Sequence, residues 1–300
     1  LHDVDGFVLC AAWMNQYPAL FLTFKDVDGL DYASAKQMLR TQIAGLYGEH
    51  AYLKTSSNIS ENDRKVYEQL ADVVDGAPTD AMLKTSIAAL MRMMQAHYGK
   101  PVILLLDEYD VPLAKASSNG YYSQMLEMMK TMLSTALKDN PSLHFAVITG
   151  CLKIAKESIF TGLNNLETDS VLHTRFGDSF GFTQEEVEGL LAYYDLSEQL
   201  EEVKKWYDGY LFNDFEIYNP WSILKYVNDR KDHVTEFALP YWSNTSSNSI
   251  VREMVGEADE MAKADLETLM AGGTIEKQVH EDITYGDIHQ TQDNLWNFLF

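Results

Sequence analysis

Cysteine is nearly absent from this chain. Two occur in 300 residues, Cys10 and Cys151. They lie far apart and in no metal-ligand spacing. This excludes a disulfide framework and points to a reducing compartment, the cytoplasm. The eight histidines are scattered and form no four-ligand cluster with the cysteines. Basic residues are also short: 23 Lys and Arg stand against 45 Asp and Glu, for a net charge of -22. A surface that grips a nucleic-acid backbone needs clustered Lys and Arg, so direct nucleic-acid binding by this segment is not expected. The acid excess itself reads most simply as solubility. No apolar run reaches the roughly 18 residues of a membrane-spanning helix. The N-terminus lacks a basic stretch ahead of its short apolar piece and does not read as a signal peptide. It begins with Leu rather than Met, so the chain is expected to start partway through a longer protein.

What remains is the composition of a globular protein, 46% hydrophobic and 23% charged, long enough for one or two domains. Three short apolar runs read as buried strands: "PALFLTF" at 18–24, "PVILLLD" at 101–107 and "LHFAVITG" at 143–150. Helical stretches separate them. One is amphipathic, with Ala35, Met38, Leu39, Ile43 and Leu46 on a common face. Another ends at Gly99. Two Met-rich helices, "LMRMM" and "MLEMMKTM", read as core. Apolar strands alternating with helices predict an α/β fold with a parallel sheet covered on both faces and right-handed crossovers. After Gly150 the pattern changes. "DSFGFT" reads as a further short strand. Thr183 and Glu186 form a capping box that opens a helix, and Asn219 with Pro220 opens another. A domain boundary is expected near residue 180, with an α/β core at 1–180 and a mostly helical domain at 181–300.

The chemistry sits at the end of the second strand. "ILLLDEYD" runs from Ile103 into Asp107 and Glu108, with Asp110 close behind. In open α/β sheets, ligands sit beyond the carboxyl ends of the strands. Hydrophobic residues followed by Asp-Glu form the Walker B pattern of P-loop NTPases. There the first acid holds Mg2+ near the phosphates, and the second faces an attacking water. The third strand ends in Thr149, a polar residue placed to read a γ-phosphate. Each feature also has a plain explanation: acids that leave a sheet and cap a turn, and a strand-end Thr with a satisfied hydroxyl. Arg175 lies between the two expected domains. It could reach a γ-phosphate or be an ion-paired surface arginine. "WYDGY" at 206–210 suggests a tight turn at Asp208–Gly209 in an aromatic corner. "GLNN" at 162–165 and "YWSNTSSN" at 241–248 are polar segments that could line a site or simply turn and cap.

"LLLDEYDVPL", "KDN", "AVITGCLKIAKESIFTGLNNL", "FGFTQEEV", "WYDGY" and "YNPWSIL" occur in this order. Together they resemble the predicted AAA-ATPase-like family of bacterial proteins, across most of the chain. The resemblance implies a P-loop NTPase-type sheet with a helical lid and an ATP and Mg2+ site. Asp107 and Glu108 match its Walker B and Thr149 its sensor strand end. It also implies an ATPase switch, with a C-terminal PD-(D/E)XK nuclease-like domain in longer members as the attached effector. The chain departs from the family in one respect: GxxxxGK[ST], the Walker A phosphate loop, occurs nowhere in it. Lys100 follows Gly99 but leads into a strand, so it is no substitute. The fragment is therefore expected to bind ATP poorly alone. The competing reading is a non-catalytic nucleotide-binding or protein-interaction module of the same fold. A nuclease within this segment is not expected, because "DEYDVPLAK" has no Lys at the spacing that such a site requires.

Overall fold

The computed structural model describes residues 13–72, 78–151, 166–232, 237–242, 249–278, 285 and 294–299. The chain forms two compact units, Leu1–Asn164 with Ile250–Phe300, and Asn165–Ser249.

The first unit is built on three parallel strands, β1 (Ala19–Thr23), β2 (Val102–Asp107) and β3 (Leu143–Ile148), in the order β1-β2-β3. Three helices, α1 (Tyr32–Glu49), α2 (Glu61–Ala71) and α3 (Asp80–Tyr98), connect β1 to β2. Two more, α4 (Val111–Ser118) and α5 (Tyr122–Leu137), connect β2 to β3. Local chemistry explains the helix ends. Asp31 and Ser34 close a capping box at the start of α1. Gly99 ends α3 in the left-handed region, φ 69, where a Cβ would be strained.

The sheet buries one face. Leu20, Leu22, Val102, Leu104 and Leu106 are almost fully buried and share a core with Leu39, Ile43, Leu90 and Met129. The buried methionines of α3 and α5 confirm the core reading of the Met-rich helices. Met38, expected on the buried face of α1, is exposed instead.

The opposite face differs from expectation. Its register rows are Ala19–Ile103–Phe145 and Phe21–Leu105–Val147. Phe21 is 55% exposed, Phe145 38% and Val147 48%. Parallel sheets bury both faces, and among the described residues this one does not. The outer edge of β3 is likewise unpaired in the described sheet. Trp13, Tyr17 and His144 flank this edge, with Tyr17 stacked on His144 at 4.1 Å and Trp13 edge-on to Phe145 at 5.6 Å.

The C-terminal stretch also falls differently from the expected division at residue 180. Met254 and Ala258, Ala262 of the helix Glu260–Met270, and Leu295 and Trp296 near the C-terminus are buried in the sheet unit's core. In the second unit, β4 (Phe182–Thr183), β5 (Asp208–Phe212) and β6 (Phe215–Tyr218) form an antiparallel sheet, order β4-β6-β5. This unit is thus not purely helical. The expected turn at Asp208–Gly209 is strand; the chain reverses at Asn213–Asp214, with Asn213 at φ 52. Asn and Asp tolerate that left-handed conformation better than most residues. The Thr183–Glu186 capping box and the Asn219–Pro220 helix start both form as expected. Tyr207, Tyr218 and Tyr226 pack in this unit's own core.

Candidate functional site

Where β2 ends, backbone hydrogen bonds continue one step past the strand ends. Phe24 N–H donates to the Asp107 carbonyl at 3.0 Å, and Thr149 N–H to the Leu106 carbonyl at 2.9 Å. Tyr109 N–H then donates to the Thr149 carbonyl at 3.2 Å. This ladder holds Asp107 and Thr149 side by side at the carboxyl edge of the sheet. The Thr149 hydroxyl donates to Asp107 Oδ1. Two residues 42 positions apart in sequence thus form one polar pair.

Glu108 occupies the next position with φ 52. A non-glycine residue in the left-handed region costs roughly 1 kcal/mol or more, and such outliers cluster at functional sites. The conformation turns the chain sharply out of β2, and Val111 N–H closes the turn on the Glu108 carbonyl at 3.2 Å. Burial and the negative charges of Asp107 and Asp110 hold the Glu108 carboxyl above the ordinary range, with Lys25 opposing them.

Asp110 behaves differently from the other two acids. It is 1% exposed. Its Oδ2 accepts the Cys151 N–H and the Tyr285 hydroxyl, each at 3.0 Å. Sequence reading saw only a third acid nearby, because its partners lie 41 and 175 positions away. Gly150 was missed for a similar reason. A Cβ there would lie 2.6 Å from the Tyr109 ring and 2.7 Å from Asp110 Oδ1. Both distances are too short, so the close approach of β3's end to the acidic turn requires glycine. Gly150→Ala is expected to lower the thermal midpoint by several degrees, from an overpacking cost of about 1–3 kcal/mol. Thermal unfolding checks this. An unchanged midpoint would mean that the turn gives way freely.

Asp107 is a residue that could hold a divalent cation. Mg2+ is held by one or two carboxylates with waters and phosphates, rather than by a full protein cage. Thr149 bonds one oxygen of Asp107, Oδ1, and the second oxygen could face such an ion. No cluster of three or more His, Cys, Asp or Glu that could hold a metal ion occurs among the described residues. The Cys151 thiol is pushed up by burial and by the charges of Asp110, Glu108 and Asp107, which argues against a thiolate nucleophile.

Arg175 lies in the second unit. There it pairs with Glu167 Oε2 at 2.8 Å and stacks on the Phe176 ring at 4.9 Å. The segments "GLNN" at 162–165 and 243–248 of "YWSNTSSN" fall outside the described residues. No helix of the described residues is long and apolar enough to cross a membrane.

A family model described as a predicted AAA-ATPase matches residues 8–160. A protein of Azotobacter chroococcum mcd 1, described as an uncharacterized protein in the vnfD 5' region, is 30% identical over 183 residues. That match takes in 61% of this chain and 34% of the relative, so the chain spans about a third of the relative's length. No solved structure matches.

Proposed function

The chain belongs to the predicted AAA-ATPase family, which suggests an ATPase-like, nucleotide-binding role, and from that premise we propose that the acidic end of β2 is the Mg-ATP-facing half of an ATPase site. The Asp107–Thr149 hydrogen bond carries the reading. It joins the end of an apolar parallel strand to the polar end of its neighbour, where open sheets bind ligands.

In this reading Asp107 would hold Mg2+, which when bound neutralises phosphate charge. Glu108, one residue further out, orients and deprotonates the attacking water. Thr149 senses the γ-phosphate and keeps Asp107 aligned. The phosphate loop comes from a strand–loop–helix unit outside these 300 residues, since no GxxxxGK[ST] occurs within them. Its strand pairs with the outer edge of β3 and its helix covers the face of Phe21, Leu105 and Val147. Turnover switches an attached effector, for which a nuclease-like domain is the candidate.

The test is Asp107→Asn in a chain extended to carry a phosphate loop. Mg2+-dependent tightening of ATP binding, measured by calorimetry with and without Mg2+, is expected to fall at least about tenfold, or about 1.4 kcal/mol. A variant that keeps the full Mg2+ effect would remove Asp107 from the metal role. The second reading, a binding module without turnover, has one feature against it: such a module has no need of Glu108 in a strained left-handed turn.

A further inference from the structure

The ATPase reading uses Asp107, Glu108 and Thr149 but leaves Asp110 without a task. Yet Asp110 is the most buried acid of the turn, at 1% exposed. A buried carboxylate is costly unless donors satisfy it. The donors here come from two separate parts of the chain. One is the Cys151 N–H, two residues past Thr149; the other is the Tyr285 hydroxyl. Tyr285 is itself 5% exposed, and Ser117 of α4 donates its hydroxyl to the Tyr285 carbonyl at 2.9 Å. Tyr285 is thus clamped twice, through its side chain to the acidic turn and through its backbone to the helix that follows that turn.

The contacts close a ring. Asp107 is bonded to Thr149, Thr149 leads through Gly150 to Cys151, and Cys151 is bonded to Asp110. Glu108 sits inside that ring, in its left-handed conformation. Gly150 leaves the ring no slack, because even a methyl group would collide with Tyr109 and Asp110. Any movement of Asp110 must therefore reach either Glu108 or the end of β3.

We propose that Asp110 is a positioning residue that ties the acidic turn to Tyr285, so that Tyr285 and the ATP-facing acids set each other's geometry. The proposal rests on the ATPase reading of Asp107 and Glu108. Coupling of this kind is reciprocal: a ligand that fixes the acids also fixes Tyr285, and release of Tyr285 loosens the acids.

Tyr285→Phe tests it, because the ring stays and only the hydroxyl is lost. The first arm needs no nucleotide. Amide exchange at the acidic turn and at the Cys151 N–H is expected to speed up about fivefold or more, with little change at α1 and α2. An unchanged rate at the turn, or an even rise in exchange across the whole unit, overturns the proposal. The second arm adds Mg-ATP to the chain extended to carry a phosphate loop. Protection of both the acidic turn and the Tyr285 peptide in the parent chain, and of the turn alone in Tyr285→Phe, supports the coupling. Protection of the turn without the Tyr285 peptide in the parent chain overturns it. Protection of neither would count against the ATPase reading, and the first arm would then decide the coupling by itself.

Discussion

Glu108→Gln is expected to hold Mg-ATP and to stop hydrolysing it. Gln keeps the length and planar end of Glu but cannot take a proton from water. A positioned general base contributes roughly 100- to 10,000-fold to a rate, so phosphate release should drop by at least about 100-fold. Binding should persist, and the physical reason is local. Glu108 stands beside Asp107 and Asp110, whose charges and the site's burial already disfavour its ionised form. Removing one of three clustered negative charges eases the approach of a triphosphate. The backbone should hold as well. The φ of 52 at Glu108 is set by the flanking hydrogen bonds of Tyr109 and Val111, not by its side chain. Calorimetric ATP binding and a phosphate-release assay on the same extended protein separate the two effects. Lost binding would make Glu108 a ligand rather than a base. Unchanged turnover would move the base elsewhere and favour the non-catalytic module.

The parts of this structure that sequence made legible are those decided within a few residues. Thr183 with Glu186, Asn219 with Pro220, and Gly99 each announce a helix end through chemistry confined to one turn. The three strands follow from continuous apolar runs and the helices between them from amphipathic spacing. The acid pair and Thr149 were legible as strand ends, and a parallel register then placed them together. What was not legible depends on partners distant in sequence. "HFAVI" has the composition of a buried strand, but Phe145 and Val147 are exposed, because among the described residues no helix layer covers that side and only Trp13 packs edge-on to Phe145. Asp208–Gly209 has turn composition, but Asn213–Asp214 takes the turn and leaves the Asp-Gly pair in a strand. Amphipathic helices near the C-terminus signal that they bury a face without signalling against which core. Asp110 and Gly150 follow the same rule. Their importance comes from Tyr285, Cys151 and Tyr109 in space, and no local spacing encodes it.

Extending the chain with a strand–loop–helix unit that carries GxxxxGK[ST] is expected to raise both its stability and its affinity for Mg-ATP. The uncovered face holds Phe21, Phe145 and Val147, with Ile103 and Leu105 half-buried between them. Covering a large apolar side chain stabilises by about 1.5–3 kcal/mol when burial goes from exposed to complete. These residues are already partly shielded, so about 1 kcal/mol each is a fair share. Across the face this amounts to several kcal/mol, or a rise of about 10 °C in thermal midpoint for a unit of this size. Pairing β3's outer edge adds specificity, because an open apolar edge otherwise invites association with other chains. The same unit would bring the backbone N–H groups and the lysine of a phosphate loop to the acids at Asp107 and Glu108. Two such charge-assisted contacts, at about 1.5 kcal/mol each, correspond to at least about a 100-fold gain in affinity. Calorimetry and thermal unfolding on the 300-residue chain and the extended one read both effects, with light scattering to report association through the open edge. Equal, tight, Mg2+-dependent binding by the shorter chain would sink the proposal. It would mean that the acids at the end of β2 find their phosphate partners within the 300 residues, by a route that no GxxxxGK[ST] supplies.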